Sequence, residues 1–149
     1  MVSQVTASNI ETPTERGATR PIGLWVVIVL SALMVFRTFA FRGIPNLGET
    51  GPEFWIVAFT GDVFIGITAL IVAGLLWRVR GLAVWTIGIV WQVIGLQDFT
   101  VAWQLFYIEP PFFDTGNMGN VPLVIFAVGI VVHLLCIYLL ARYRRYYLA

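Results

Sequence analysis

The sequence predicts an all-α integral membrane protein, a four-helix bundle with both termini in the cytoplasm. Of the 149 residues, 59% are hydrophobic and only 11% are charged. In soluble domains about 45–50% of the residues are apolar and about 25% are charged. Four apolar segments are each long enough to cross a bilayer, which takes about 20 helical residues. The arginines collect at the segment ends of one side, and this asymmetry sets the orientation.

The chain is expected to form one membrane domain preceded by a polar stretch. Residues 1–20 are interpreted as a flexible cytoplasmic tail. They do not form a signal peptide, because the apolar run begins only after Arg20 and is too long for an h-region. Residues 21–149 form the domain, with spans predicted at about 21–41, 54–77, 81–107 and 120–141. Each span is expected to be a helix, since a spanning segment has to satisfy its own backbone hydrogen bonds.

The connections between the spans differ in charge and in turn chemistry. RGIPNLGETGPE (42–53) has Gly and Pro throughout and predicts an irregular loop, whereas WRVRGL (77–82) predicts a tight basic turn. IEPPFFDTGNMGNVP (108–122) is the longest link. Basic loops stay in the cytoplasm. We therefore expect the protein to lie in the cell (inner or plasma) membrane, with the two Gly/Pro-rich loops on its outer side. The arginines on the predicted inner side are Arg16, Arg20, Arg78, Arg80, Arg142, Arg144 and Arg145.

Several polar side chains interrupt the apolar spans. A carboxylate such as Asp98 costs about 2.5–3.5 kcal/mol at the centre of a membrane helix on insertion scales. Counting about 1.5 Å per residue from the cytoplasmic span ends places Arg37, Asp62 and Asp98 at one level, about 22–25 Å deep. Gln97 shares that level. The same count of about 1.5 Å per residue places His133 only about 12 Å deep.

Small residues share a helical face with each buried polar group. Such stripes mark the sides on which membrane helices approach each other closely. We therefore expect Asp62, Asp98 and His133 to point into the bundle, while Arg37 either joins them or extends outward to the headgroups. The small residues concerned are Gly66, Ala69 and Ala73 beside Asp62, Gly88, Gly95 and Ala102 beside Asp98, and Gly129 and Cys136 beside His133.

The polar set has a structural and a functional interpretation. In the structural one, the fork of donors on Arg37 pairs with Asp62, with Asp98 or with both. Pairing with both leaves one negative charge in excess, which a retained proton would remove. In the functional one, the two carboxylates exchange a proton or bind a cation or ligand, with Gln97 and His133 as further candidate contacts. By itself His133 is typical of a hydrogen-bonded packing residue, and Gln92 and Gln97 are typical of donors in interhelical hydrogen bonds.

Residue types exclude several classes of function. His133 is the only histidine and Cys136 the only cysteine, so a bundle with several haem-ligating histidines and a redox pair of thiols are both excluded. The sequence has no nucleophile motif, phosphate-binding loop or metal-ligand spacing. We therefore predict no catalytic residue, no metal and no cofactor. The net charge of +1, without a basic stripe outside the membrane flanks, speaks against a nucleic-acid partner.

Four segments together carry a resemblance: FRTF (36–39), FTGDVFIGITAL (59–70), WQVIGLQDFTVAW (91–103) and VPLVIFAVGIVVHLLCIYLL (121–140). They resemble a group of small, uncharacterised bacterial four-span membrane proteins with recurring Arg, Gly-Asp, Trp-x-x-x-Gly-Leu-x-Asp and His-Leu-Leu motifs. The resemblance covers about residues 30–142, departs at the loop with Pro110–Pro111, and carries no function. It implies that the matching positions belong together, namely Arg37, Gly61, Asp62, Trp91, Gly95, Leu96, Asp98, His133, Leu134 and Leu135.

Three function hypotheses remain. The first is a non-enzymatic accessory or scaffold subunit, locked by Arg37, Asp62 and Asp98, whose partners are lipid and other membrane subunits or a second copy. The second is binding or transport of a proton, cation or small amphipathic ligand at Asp62 and Asp98. The third is an intramembrane enzyme acting on a lipid-like substrate. The first is favoured, because four short spans leave little room for a pathway.

Overall fold

The computed structural model describes residues 19–47, 55–108 and 121–148, and within these ranges it contains helices and no strand. Four of its helices are long and apolar enough to cross a membrane. The predicted all-α four-helix bundle is thereby confirmed. In chain order the elements are α1 (Ile22–Leu33), a 3₁₀ helix (Met34–Leu47), α2 (Trp55–Arg78), α3 (Leu82–Ile108), α4 (Val121–Arg142) and the short α5 (Arg144–Leu148).

The first span changes helix type part of the way across. The α-helix ends at Leu33, and a 3₁₀ helix continues to Leu47, so the apolar span Ile22–Ala40 contains both types. We predicted an irregular loop from residue 42 onward, and this was wrong for residues 42–47. A 3₁₀ helix keeps the backbone hydrogen-bonded through i→i+3 bonds, so the chain continues past the apolar span in helical form. Runs of this length are uncommon, and this one carries Arg37.

The other three spans follow the predicted pattern. The segments predicted at 54–77, 81–107 and 120–141 correspond to α2, α3 and α4. Gly81, with a φ of 128°, makes the tight turn between α2 and α3, a backbone conformation that glycine adopts without steric cost. Residues 1–18, 48–54 and 109–120 lie outside the described residues. The predicted tail and most of the two predicted outer loops fall there and stay predictions.

The bundle interior is formed by apolar side chains from all four spans. Leu24, Ile65, Leu76 and Leu140 are fully buried at its centre, and Trp91 of α3 belongs to the same buried cluster. Only 22–33% of each spanning window is buried inside the chain, so most of each apolar span faces outward. In a bilayer such faces are already in an apolar medium, and helix association depends on close packing and interhelical hydrogen bonds.

Arginine and tyrosine side chains meet at the end of the bundle where α2 terminates. Arg20 Nη2 donates a hydrogen bond to the carbonyl of Trp77, and the Tyr147 hydroxyl donates one to the carbonyl of Leu76 at 3.0 Å. These bonds satisfy carbonyls that a helix end leaves without an intrahelical partner. Arg80 donates to the Tyr146 hydroxyl at 2.9 Å. Burial raises the pKa of the Tyr147 phenol to about 12.

Candidate functional site

Arg37 is the centre of the polar side chains inside the bundle. Its Nε donates to Asp62 Oδ1 on α2 and its Nη2 donates to Asp98 Oδ2 on α3. Its Nη1 lies 3.3 Å from His133 Nε2 on α4. The Arg37 side chain is 8% exposed. Arg37 therefore points into the bundle, and a single side chain of the first span contacts the other three spans.

The hydrogen-bond network continues from His133 to the first span. His133 Nδ1 lies 2.6 Å from Gln92 Oε1, and Gln92 Nε2 donates to Ser31 Oγ at 3.0 Å. All three side chains are buried. We call Arg37, Asp62, Asp98, His133, Gln92 and Ser31 together the Arg37 cluster.

The contacts favour one protonation state of His133. A guanidinium group has only donors, so the His133 Nε2 that faces Arg37 acts as an acceptor and carries no hydrogen. The ring proton then lies on Nδ1 and is donated to Gln92 Oε1, which leaves the Gln92 amide nitrogen to donate to Ser31. Donors and acceptors match in this neutral Nδ1–H form, and they clash in the other tautomer and in the imidazolium.

Glycines make room for three members of the site. A Cβ on Gly61 would overlap Asp98 Oδ1, and a Cβ on Gly95 would overlap the imidazole of His133. A Cβ on Gly129 would overlap the Phe99 ring. Since these glycines lie on helices facing the side chains they accommodate, each lets two helices approach closely around a polar or aromatic group. Gly95 and Gly129 belong to the small-residue stripes predicted for α3 and α4. On α2 the predicted stripe is buried as well, but the glycine that makes room for Asp98 is Gly61, outside that stripe.

Phe99 covers one side of the guanidinium. The Arg37 Cζ lies 4.0 Å from the centre of the Phe99 ring, within the range of a cation–π interaction. The Phe99 ring also lies 5.8 Å from the imidazole of His133, centre to centre. An apolar ring over the ion pairs limits access of water, and this strengthens the charge interactions beneath it.

His133 reaches Arg37 although equal counting from the span ends placed it well below that residue. The two side chains are in contact, and the imidazole lies against Gly95 of α3. The Trp85 indole near the start of α3 donates to the carbonyl of Leu140 near the end of α4, so these two helix ends lie at similar heights. The count used backbone positions alone and left out the length of the Arg37 side chain.

The two carboxylates differ in their surroundings. Asp98 is 9% exposed, and its second oxygen packs against Gly61. Asp62 is 27% exposed and lines a cavity of about 90 Å³. Gln97 is exposed and lines a separate hollow of about 190 Å³ with Gly61 and Asp98. Of the sequence-predicted candidates, Arg37, Asp62, Asp98 and His133 are in direct contact, and Gln97 lies at the edge of the group.

Sequence reasoning missed two contributors to this site. Ser31 is a small residue in an apolar run and carries no local signal that distinguishes it from a packing residue. Phe99 follows Asp98 directly, and its ring contacts Arg37. In the sequence, the only sign of this contact is that Phe99 lies four residues after Gly95, on the contact face of α3. Gln92 was expected to make an interhelical hydrogen bond, as it does.

Comparisons with family models, with curated proteins and with solved structures returned no significant match to this chain. The fold defines its class: a small protein with four helices able to span a membrane, joined inside the bundle by ion pairs and hydrogen bonds. Its function has to be argued from the site alone.

Proposed function

We propose that this protein is a non-enzymatic accessory or scaffold subunit of a membrane assembly, with its bundle locked by the Arg37 cluster. The observation that carries the proposal is that the Arg37 guanidinium bonds to side chains of all three other spans. The chemically versatile groups of the interior are thereby engaged in holding helices together. The host membrane is proposed to be the cell membrane, with the arginine-rich end in the cytoplasm.

The outward faces support a role in assembly. Large apolar side chains such as Ile67 and Leu70 on α2 and Val131 on α4 are more than half exposed. Some of this surface contacts lipid. A chain of 16.7 kDa whose spans are mostly unburied also offers several faces to neighbouring helices. The proposed partners are other membrane subunits or a second copy of the chain.

The mass of the native particle tests this proposal. Membranes are solubilised with a lipid-retaining copolymer, and the particle is weighed by native mass spectrometry. We expect the chain in fixed stoichiometry with another subunit or another copy. The matched control is a triple variant that removes the charges, Arg37→Met, Asp62→Asn, Asp98→Asn. If the cluster serves only to hold the bundle together, this variant forms the same assembly as the wild type. A particle that holds one chain and no other protein contradicts the proposal.

We infer a second candidate function from the charge of the cluster, namely binding of a proton or a cation at Asp62 and Asp98. Arg37 supplies one positive charge against two carboxylates, and the neutral His133 that faces them adds none. A lone negative charge is costly in a membrane interior. A retained proton or a bound cation removes that cost, and Asp62 is the more accessible of the two acids.

Infrared spectroscopy tests this second candidate. A protonated carboxyl has a C=O stretch that the ionised form lacks. We expect this band in the ligand-free protein, and we expect Asp62→Asn or Asp98→Asn to remove it. Gln97→Glu is the matched control, because it adds an exposed carboxyl group beside the cluster. A wild-type protein with no such band, and with no cation that binds at Asp62, contradicts this candidate.

A further inference from the structure

A small cavity with aromatic walls lies at the start of α2, next to Asp62. Its volume is about 90 Å³. Asp62 is the only charged side chain among the described residues that form its wall. The lining residues are Trp55, Ala58, Phe59 and Asp62 from α2, Ala102 from α3 and Phe126 from α4.

The three aromatic rings lie side by side around this cavity. The Trp55 ring centre is 6.1 Å from that of Phe59 and 6.5 Å from that of Phe126. The face of an aromatic ring carries partial negative charge and attracts a cation within about 6 Å of its centre. Trp55 and Phe59 are four residues apart on α2, and Asp62 follows at a spacing of three, so helix geometry places all three on one face. The walls and the acid therefore favour positive charge in the same space.

The more exposed of the two acids lies at this cavity. Arg37 supplies one positive charge and bonds to one oxygen of each acid, Oδ1 of Asp62 and Oδ2 of Asp98. The second oxygen of Asp98 packs against Gly61, whereas the Asp62 side chain is 27% exposed, against 9% for Asp98. A cation in the cavity would lie against the carboxylate that is open and would neutralise the cluster.

We propose that the cavity binds the ammonium group of a small organic cation. Hard metal ions require several oxygen ligands, and the described wall offers a single carboxylate among apolar side chains. Aromatic walls with one acid are instead typical of sites for alkylated ammonium groups. The volume restricts the bound part to a small group, such as a primary ammonium or a methylated one, carried by a free ion or by a lipid headgroup. This inference rests on the second candidate function and names its ligand class.

Calorimetric titration of the purified full-length protein in detergent and amine-free buffer tests the inference. The probes are ethylammonium and tetramethylammonium chloride, with sodium chloride at equal ionic strength as the reference. We expect saturable binding of at least one ammonium ion and none of sodium. Asp62→Asn is expected to weaken binding by about tenfold or more, and Phe126→Leu by about threefold to tenfold.

Three further variants keep the test interpretable. Gln97→Ala, outside the cavity, is expected to bind as the wild type does. Trp55→Phe retains a ring at the wall and is expected to bind better than Trp55→Leu, a ranking that simple loss of packing volume does not require. The far-UV circular dichroism of each variant verifies folding. If Asp62→Asn does not fold, the Trp55 and Phe126 variants decide the outcome alone.

Nanodiscs distinguish the two sources of the ammonium group. If the bound group belongs to a lipid headgroup, phosphatidylethanolamine competes with added tetramethylammonium. The apparent affinity for tetramethylammonium is then lower in discs of phosphatidylethanolamine than in discs of phosphatidylglycerol. Equal affinity in the two discs supports a free ion. Both results uphold the ammonium site. No saturable binding in detergent or either disc, or binding unaffected by the Asp62, Trp55 and Phe126 variants, overturns the inference. If the carboxylic-acid infrared band persists in that case, proton binding stands without it.

Discussion

Replacement of Arg37 by Met is expected to destabilise the bundle strongly. The Arg37 side chain is 8% exposed, and its loss leaves the acid pair Asp62 and Asp98 without a counter-charge inside the bundle. Removal of one partner from a buried ion pair costs about 3–5 kcal/mol. Because Asp62 is 27% exposed and water relieves part of its charge, we expect the lower part of that range, about 3 kcal/mol. This is on the order of a hundredfold in the unfolding equilibrium constant.

The measurement is reversible unfolding in mixed micelles by titration with sodium dodecyl sulfate, followed by far-UV circular dichroism. Arg144→Met, at an exposed position of α5, is the matched control and is expected to unfold as the wild type does. The triple variant Arg37→Met, Asp62→Asn, Asp98→Asn removes all three charges and is expected to regain most of the lost stability, since neutral replacement of a whole buried ion cluster is often nearly neutral in free energy. A single variant as stable as the wild type, or a triple variant no better than the single one, refutes this reasoning.

Three further predictions follow from particular contacts. Gly95→Ala brings a Cβ into the imidazole of His133 and is expected to cost about 1–3 kcal/mol, whereas Gly74→Ala meets open space and is expected to leave the unfolding curve unchanged or slightly improved. ¹⁵N spectra of histidine-labelled protein are expected to show neutral His133 with its proton on Nδ1, and a proton on Nε2 would disprove the proposed donor pattern. Burial raises the pKa of the Tyr147 phenol from its ordinary value of 10.0 to about 12, so the phenol stays protonated to a higher pH in the folded state than in the unfolded state. The stability that this group contributes is therefore fully present below pH 10.0. It is expected to fall by about 1.4 kcal/mol per pH unit as the pH rises between those values. Unfolding titrations of Tyr147→Phe are expected to lack that fall and to show a loss of about 1 kcal/mol at neutral pH, because the bond to the Leu76 carbonyl is removed; an unchanged alkaline fall would exclude Tyr147 as its source.

The spans themselves were predictable because the bilayer imposes their length and composition. Apolar runs of about 20 residues define α2, α3 and α4, and small residues beside Asp62, Asp98 and His133 identified the sides on which these helices meet. These signals depend on local sequence and helical spacing alone. They therefore hold without knowledge of how the helices are arranged.

The change to a 3₁₀ helix at Met34 and the contact between Arg37 and His133 were not predictable in this way. Over a single span the apolar pattern of a 3₁₀ helix differs little from that of an α-helix, and Gly43 and Pro45 favour a loop. The contact of Arg37 with His133 depends on how far side chains reach between neighbouring helices. That is a property of packing between helices, which no single segment encodes.

The function of the site was only partly accessible to sequence reasoning for a related reason. The sequence indicates two acids and one arginine inside the membrane, and hence a surplus of negative charge. Which acid is the more exposed depends on packing: one oxygen of Asp98 lies against Gly61, and a cavity lies beside Asp62. The ring of Phe126 reaches that cavity from another helix, and this contact depends on the packing of the helices, which the sequence leaves undetermined.

The central claim, that Arg37 joins the spans through both acids, is tested most directly by solid-state NMR of the protein in lipid. Dipolar recoupling measures the separation of labelled arginine side-chain nitrogens from labelled aspartate Cγ carbons, with Arg37→Met identifying the Arg37 signals. We predict that Arg37 nitrogens lie within hydrogen-bonding reach of the carboxyl groups of both Asp62 and Asp98. Contact with only one acid, or with neither, would contradict the account.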